Sequence, residues 1–367
     1  MNQIEKTYLN AFNTLTGIGG QKLRLIYQHF PSFEIAWQAE AKEFIEAGIP
    51  EKLSRSIIEQ KEKINPEQEW EKLEKYKIKI VTIDEENYPP LLKEIDSPPF
   101  LLYVRGNLDA LTMPAVSVVG SRKYSAYGKQ ICIKLSFDVA KAGIAVVSGL
   151  ALGIDAFAQA AALKAKGVTI GVLGGSIDEP SISPRNNVAL ANHILENNGA
   201  LISEYPVPTI PNKGTFPARN RIMAGLAKAT LVIEAAPKSG TLITADLAKK
   251  FERKIFAVPG SIFSDQSIGT HTLIKNGDAQ LVGKAEDILK VFNISKSEVV
   301  KNINEILPKN PDERIVFELI KNNSEGVNID KIIRDTKLEA MTVSSILIEM
   351  ELNGIIKNIG NQVYIVI

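Results

Sequence analysis

Five short stretches of this 367-residue chain combine glycine, small hydroxylated side chains and cations in an order that suits a bound anion. The first, Val116-Ser-Val-Val-Gly-Ser-Arg122, is an apolar run ending in Gly120, Ser121 and Arg122, just before a helical pattern opens near Ala126. A strand, a glycine and a helix N-terminus present free backbone N–H groups and a positive dipole end to a phosphate, and an arginine beside them can fork onto it. The second, Val147-Ser-Gly-Leu-Ala-Leu-Gly-Ile-Asp155, offers Gly149 and Gly153 for a tight strand-to-helix turn, with Asp155 as a cap. The third is Gly171-Val-Leu-Gly-Gly-Ser176, followed by Pro184-Arg185-Asn186 ahead of a helix, which brings Arg185 to the same edge. The fourth runs from Phe216 to Gly225 and carries Arg219, Asn220 and Arg221. In the fifth, Ala235 to Thr244, the residues Lys238, Ser239, Gly240 and Thr241 make a phosphate nest. One small ligand does not need all five loops, whereas a strand of nucleic acid does. None of them is GxGxxG or GxxxxGK[ST], so a dinucleotide or triphosphate site is not supported.

Other chemistry is thinly represented. His29, His193 and His271 lie far apart without nucleophile or ligand spacing, and read as surface or capping residues. The one cysteine, Cys132, falls in an apolar helical pattern and reads as a small buried hydrophobe, which excludes an internal disulfide framework and fits a reducing compartment. The sequence therefore predicts no catalytic residue, no metal and no cofactor. Neither a basic leader followed by an apolar run nor a membrane-length apolar window is present, which points to the cytoplasm.

The elements that must position these loops follow from the pattern. At roughly 150 residues per domain the length implies two to three domains, and 45% hydrophobic with 23% charged residues is an ordinary globular balance. Residues 1 to 70 show apolar positions at helical spacing, with Pro66 closing the segment. Leu15-Thr-Gly-Ile-Gly-Gly-Gln-Lys22 resembles a helix-hairpin-helix turn, and Ala47-Gly-Ile-Pro50 a degenerate second copy. Residues 75 to 292 alternate short apolar runs (IKIVTI, AVSVVG, IAVVSG, VTIGVLG, ALISEY, ATLVIEA, KIFAVPG) with helical stretches, the signature of βαβ units in a doubly wound, mainly parallel sheet. A linker is expected at 293 to 310. Residues 311 to 367 read as three helices and a strand pair turning at Gly360-Asn361, a winged-helix pattern.

Charge is distributed unevenly across these parts. The formal net is +1, but residues 1 to 70 carry −2, residues 311 to 367 carry −3, and residues 212 to 254 hold nine basic against three acidic residues, a net of +6 that includes Lys213. Since phosphate backbones are held by cations that release counterions, a polyanion site belongs in the middle part. The net of −2 makes the N-terminal hairpin a structural or protein-contact element rather than a DNA anchor.

Read in order, Gly120-Ser-Arg122, Ser148 to Asp155, Ser203-Glu-Tyr-Pro206, Phe216-Pro-Ala-Arg-Asn-Arg221, Glu234 to Ala245 and Ala257-Val-Pro-Gly260 resemble the DNA-processing protein A family, DprA or Smf. The resemblance covers the whole middle part, and the flanks look like the family's sterile-alpha-motif-like region and winged helix. It implies an extended Rossmann fold that binds single-stranded DNA, dimerises, and brings the RecA recombinase onto incoming strands during natural transformation. Carried over by position, it makes Gly120, Ser121, Arg122, Arg185, Lys213, Phe216, Arg219, Asn220, Arg221, Lys238, Ser239, Gly240 and Thr241 the DNA-binding set. Tyr124, Tyr127 and Phe216 are the candidates for base stacking. Between Gly175 and Asn186 members usually show an Asp and a Tyr-Pro pair, whereas this chain reads Ser176-Ile-Asp-Glu-Pro-Ser-Ile-Ser-Pro184 and lacks the tyrosine. The sheet with Lys-Ser-Gly-Thr also resembles nucleotide phosphoribohydrolases, enzymes that cleave nucleoside monophosphates. Their Pro-Gly-Gly-x-Gly-Thr block corresponds here to Ala236-Pro-Lys-Ser-Gly-Thr241, with lysine and serine where two glycines would stand.

Overall fold

A computed structural model describes residues 1–293, 310–323, 326–352 and 355–366. The chain divides into two compact units, residues 1–295 and 296–367. The expected linker lies almost wholly outside the described residues.

Six helices open the first unit: α1 (Gln3–Thr14), α2 (Gly20–His29), α3 (Phe33–Gln38), α4 (Ala41–Glu46), α5 (Glu51–Lys61) and α6 (Pro66–Lys75). Pro66 does not close this region but starts its last helix, in the first turn, where a missing N–H costs nothing; Asn65 caps it by accepting from the N–H of Gln68. Phe12 gathers Trp37 edge-on at 4.9 Å and Phe44 at 6.0 Å between ring centres. These helices share one hydrophobic core with the sheet that follows. Its polar staple is the buried Tyr103, whose hydroxyl donates to Asn10 Oδ1 at 2.8 Å and accepts from Asn13 Nδ2 at 3.1 Å. The hairpin faces inward as well, since a Cβ on Gly20 would stand 3.3 Å from the backbone nitrogen of Phe100.

The sheet is built from β1 (Lys79–Thr82), β2 (Leu101–Gly106), β3 (Ala115–Val119), β4 (Ala145–Ser148), β5 (Thr169–Val172), β6 (Ala200–Ser203), β7 (Ala229–Val232), β8 (Lys254–Ala257) and β9 (Gln280–Leu281), with α7 (Pro90–Lys93) between β1 and β2. Strand order is β1-β2-β6-β5-β4-β3-β7-β8-β9. From β6 to β9 all pairings are parallel, and β1 and β2 add an antiparallel edge against β6. The crossovers are α8 (Ala126–Lys141), α9 (Ile154–Lys164), α10 (Val188–Glu196), α11 (Thr215–Leu226) and α12 (Gly240–Lys250); α13 (Ile268–Lys275) and α14 (Ala285–Leu289) complete the unit. Strands β3 to β7 are buried along their whole length, as helix cover on both faces requires. The chain winds from β3 through β4 and β5 to β6 in one direction, then crosses to β7 and β8 on the other side of β3. The switch point therefore lies between β3 and β7, outside whose carboxyl ends such sheets bind their ligands.

Cys132, on the buried face of α8, has its thiol pushed up to about 12 by desolvation. A maleimide should leave the folded protein unlabelled and react once urea unfolds it; labelling of the native protein at the unfolded rate would contradict this burial.

In the second unit the helices Pro311–Lys321, Ile329–Thr336 and Ala340–Leu352 pack on a three-stranded sheet with a core of Val316, Ile320, Ile332, Val343, Leu347 and Ile356. A short strand at Val327–Asn328 pairs with Val363–Tyr364, and the hairpin between Ile356–Asn358 and Val363–Val366 turns at Gly360, φ +113°. This is a winged helix. No helix of the described residues is long and apolar enough to cross a membrane.

Candidate nucleic-acid interface

At the switch point the loops after β3 and β7 and the start of α11 enclose a cleft of about 430 Å³, lined among others by Gly120, Ser121, Arg122, Lys123, Phe216, Asn220, Ser239, Gly240 and Thr241. Three helices begin here. Asp155 lies in the first turn of α9, Phe216 and Pro217 in that of α11, and Gly240 and Thr241 in that of α12. The first N–H groups of these helices are partly satisfied locally, Ile154 by Ser121 O at 3.4 Å and Thr241 by Ser239 Oγ at 3.2 Å, and what the three starts bring to the cleft is their positive dipole ends.

The β3 loop is held by its neighbours. Gly153, at φ +86°, lets the turn after β4 close beneath it; a Cβ there would meet Ser121 O at 2.7 Å. Ser121 uses its hydroxyl inside the loop, accepting from the N–H of Lys123 and donating to its carbonyl, each at 3.0 Å. The buried Glu234 carboxylate, just past β7, accepts from the backbone N–H and the hydroxyl of Ser125 at 2.9 and 2.5 Å, and Ser125 in turn caps α8. A Cβ on Gly128 would collide with that carboxylate. Gly128→Ala should accordingly cost about 1–3 kcal/mol, the usual penalty of overpacking, read as a lower urea midpoint at unchanged m-value. An unchanged midpoint would show that Glu234 does not clamp this loop.

Arg122 and Phe216 meet across the cleft, the guanidinium carbon 5.6 Å from the ring centre. On the β7 loop, Ser239 caps α12 by accepting from the N–H of Thr241 at 3.2 Å, and Lys238 adopts φ +59°, so its exposed side chain leaves the loop beside the cleft. Asn187 draws the β5 loop in, its amide donating to the carbonyls of Leu150 and Ala151 at 2.8 and 3.1 Å.

Arg219 departs from the role expected of it. It is 5% exposed, and its guanidinium lies under the loops, donating to Gly149 O at 2.7 Å and to the carbonyl of Val172, with Nε donating to Asn220 Oδ1 at 3.2 Å. Asp155, 7% exposed, is its counter-charge and accepts from the N–H of Gly149 at 3.1 Å. Burial raises the Asp155 pKa and lowers that of Arg219, and each charge opposes the shift of the other. Arg219 is therefore a buried brace of the cleft floor. Gly149 is a glycine because the guanidinium occupies the place of a Cβ. Arg221, two residues on, faces away from the cleft, pairing with Glu204 and donating to Ser97 O at 2.9 Å. Arg185 and Lys213 are exposed and lie outside the cleft lining; Arg185 donates to Glu179 O at 2.7 Å.

The fold also redistributes the +6 stretch. Lys249 pairs with Asp278, Lys250 with Asp96, Arg253 with Glu94 and Arg221 with Glu204, while Lys228 covers the ring of Phe292. Of this stretch's cations the lining holds only the buried Arg219, and the exposed cations of the cleft, Arg122 and Lys123, come from outside it. Sequence reasoning passed over Lys123, whose place next to Gly-Ser-Arg was the available signal. Asp155, also in the lining, was expected only as a helix cap, and Gln266 carried no signal. Both carboxylates near the cleft are committed, Asp155 to the N–H of Gly149 and Glu234 to Ser125, which does not favour the hydrolase resemblance.

A doubly wound sheet whose switch point gathers three helix N-termini and exposed cations defines a Rossmann-type protein, here joined to a winged helix. The family described as DNA recombination-mediator protein A matches residues 79–293, and the DprA winged helix domain matches residues 305–359. The chain belongs to this family. A protein named Smf from Synechocystis sp. is 41% identical over 282 residues, 76% of this chain and 70% of its own length. DNA processing protein DprA of Bacillus subtilis is 42% identical over 214 residues, 58% of this chain and 71% of its own. The X-ray structure of DprA from Streptococcus pneumoniae superposes with a TM-score of 0.67 at 33% identity, covering 79% of this chain and 98% of that one. A Helicobacter pylori DprA structure, described for its single-stranded DNA binding mode, gives a TM-score of 0.53 at 32% identity over 59% of this chain and 96% of its own.

Proposed function

We propose that this protein is a non-catalytic DNA-binding recombination mediator that holds single-stranded DNA by its backbone in the switch-point cleft, protects incoming strands and loads the RecA recombinase onto them during natural transformation. The observation that carries the reading is the convergence of the α9, α11 and α12 N-termini with Arg122 and Lys123 on one open cleft, a site shaped for phosphates without a committed base-reading edge. The binding mode named for the Helicobacter pylori relative supports it. In this reading Gly120, Ser121, Arg122, Phe216, Asn220 and Ser239 to Thr241 face the strand, Arg185, Lys213 and Lys238 border its path, and Arg219 positions the floor.

We further assign a homodimer and a cytoplasmic location, where strand and recombinase meet. Ile262 and Phe263, 80% and 93% exposed in the loop after β8, supply apolar surface suited to a second copy. The winged helix is assigned to protein contacts, because its helix Ala340–Leu352 carries Glu349 and Glu351 and no Lys or Arg. Fluorescence anisotropy with labelled oligo(dT) tests the binding, and RecA filament formation on single strands tests the loading. No binding at low salt sinks the reading. So does release of free base from nucleoside monophosphates, which is the hydrolase outcome.

A further inference from the structure

Of the three aromatics singled out as stacking candidates, two are already engaged. Phe216 lies under the Arg122 guanidinium, and Tyr127, though 49% exposed, is tied by its hydroxyl to Pro259 O at 2.9 Å and is not next to a cleft-lining residue. Tyr124 is different. It directly follows Lys123, the last residue of the β3 loop to line the cleft, and it is 42% exposed. Its ring stands at 90° to that of Phe157 on α9, with centres 4.7 Å apart, an edge-to-face arrangement that fixes the ring without covering it. Lys129, in the first turns of α8, places its ammonium 4.9 Å from the centre of Phe157. Among the described residues neither Lys123 nor Lys129 makes an ion pair; on α8 that role falls to Lys134, 3.4 Å from Asp138.

We infer that Tyr124 and Phe157, flanked by Lys123 and Lys129, form a second DNA subsite, a platform on which one unpaired base stacks while the phosphate next to it enters the cleft. The inference rests on the strand-binding reading and extends it. Two features select a base over an apolar side chain of a protein partner. The platform continues the cleft without a break in the chain, from Lys123 to Tyr124. It also brings two cations that form no ion pair among the described residues, Lys123 next to Tyr124 in the chain and Lys129 over the Phe157 ring, as the phosphates of a nucleotide require. A duplex keeps its bases stacked on one another, so an exposed aromatic adds affinity only for unpaired strands. The platform thus gives a physical reason for preferring single strands, which the cleft, a reader of phosphates, does not supply.

The test uses the full chain and oligo(dT) carrying one 2-aminopurine at successive positions, whose fluorescence is quenched on stacking. Tyr124→Ala should lower single-strand affinity about tenfold, leave duplex affinity and the salt slope unchanged, and abolish the quench at one position. Tyr124→Phe should behave as wild type, because stacking needs the ring and not the hydroxyl. Lys129→Ala should lower the salt slope by about 0.7. Since Tyr124 is exposed, thermal melting should not move in any of these variants. Wild-type affinity and quench in Tyr124→Ala, with the wild-type protein binding single strands, overturns the platform alone. Equal losses for single strands and duplex make Tyr124 a structural prop and also overturn it. Failure of the wild-type protein to bind single strands removes the cleft reading, and the platform with it.

Discussion

Alanine at both Arg122 and Arg185 should weaken single-strand binding by one to three orders of magnitude at low salt and flatten its salt dependence. Arg122 sees the cleft from the β3 loop with its guanidinium over Phe216, and Arg185 is exposed on the β5 loop at the same edge of the sheet. A hydrogen bond to a charged group contributes about 1.5–3 kcal/mol, so the loss at Arg122 alone corresponds to roughly 10- to 150-fold. Each phosphate contact removed should lower the slope of log affinity against log salt by about 0.7. The losses should be nearly the same for oligo(dT), oligo(dA) and mixed sequences, because cations on phosphates carry no sequence information. Stability should hardly change, since neither side chain is buried. Anisotropy titrations across a salt series measure all of this. A double variant with wild-type affinity and slope would remove both arginines from the DNA path.

The largest effect on stability is expected from Arg219→Ala. The residue leaves a buried Asp155 without its counter-charge and strips donors from the carbonyls of Gly149 and Val172. Each buried polar group left unsatisfied costs about 1–3 kcal/mol, so the sum is a large part of the roughly 5–15 kcal/mol that ordinarily holds a protein folded. Arg219→Met combined with Asp155→Leu should recover much of that loss, because it removes both charges and keeps the volume. Urea unfolding of the three proteins measures the difference. Binding separates the brace from a DNA contact: Arg219→Met/Asp155→Leu, while folded, should keep the wild-type salt slope. A slope reduced by about 0.7 would mean that Arg219 reaches a phosphate after all.

Arg219 also shows what a linear sequence conceals. Arg219 and Arg221 look like one basic cluster, yet two residues on a helix stand about 200° apart, so one is driven under the loops and the other out to Glu204. Which face of α11 is buried depends on the packing of β4 and β5, and nothing near residue 219 encodes it. The same limit applies to the +6 stretch, whose neutralising partners Glu94, Asp96, Glu204 and Asp278 are brought in by the fold from outside it. The parallel strands were legible because burial on both faces writes them as unbroken apolar runs. Strand β2 escaped because no helix follows it, so Leu101 to Gly106 lacks the βα rhythm, and β9 is only two residues long. Gly120-Ser-Arg122 was readable as a strand-to-helix loop, since strand, glycine and helix start are local features. Glu234 and Gly128 were not, because the clamp they form with Ser125 is tertiary.

The near-neutral net charge of +1 is consistent with this picture. A DNA site does not need a basic protein when three helix N-termini and a few exposed cations border one cleft and other cations, Arg221, Lys249, Lys250 and Arg253 among them, pair with carboxylates elsewhere.

The central claim is that the switch-point cleft holds single-stranded DNA by its backbone. A salt-series titration of the full chain with single- and double-stranded oligonucleotides of one sequence tests it most directly. The account predicts a linear fall of log affinity with log salt for the single strand and a preference over the duplex of more than about tenfold, or roughly 1.4 kcal/mol. A preference below that, or an affinity indifferent to salt, would contradict it.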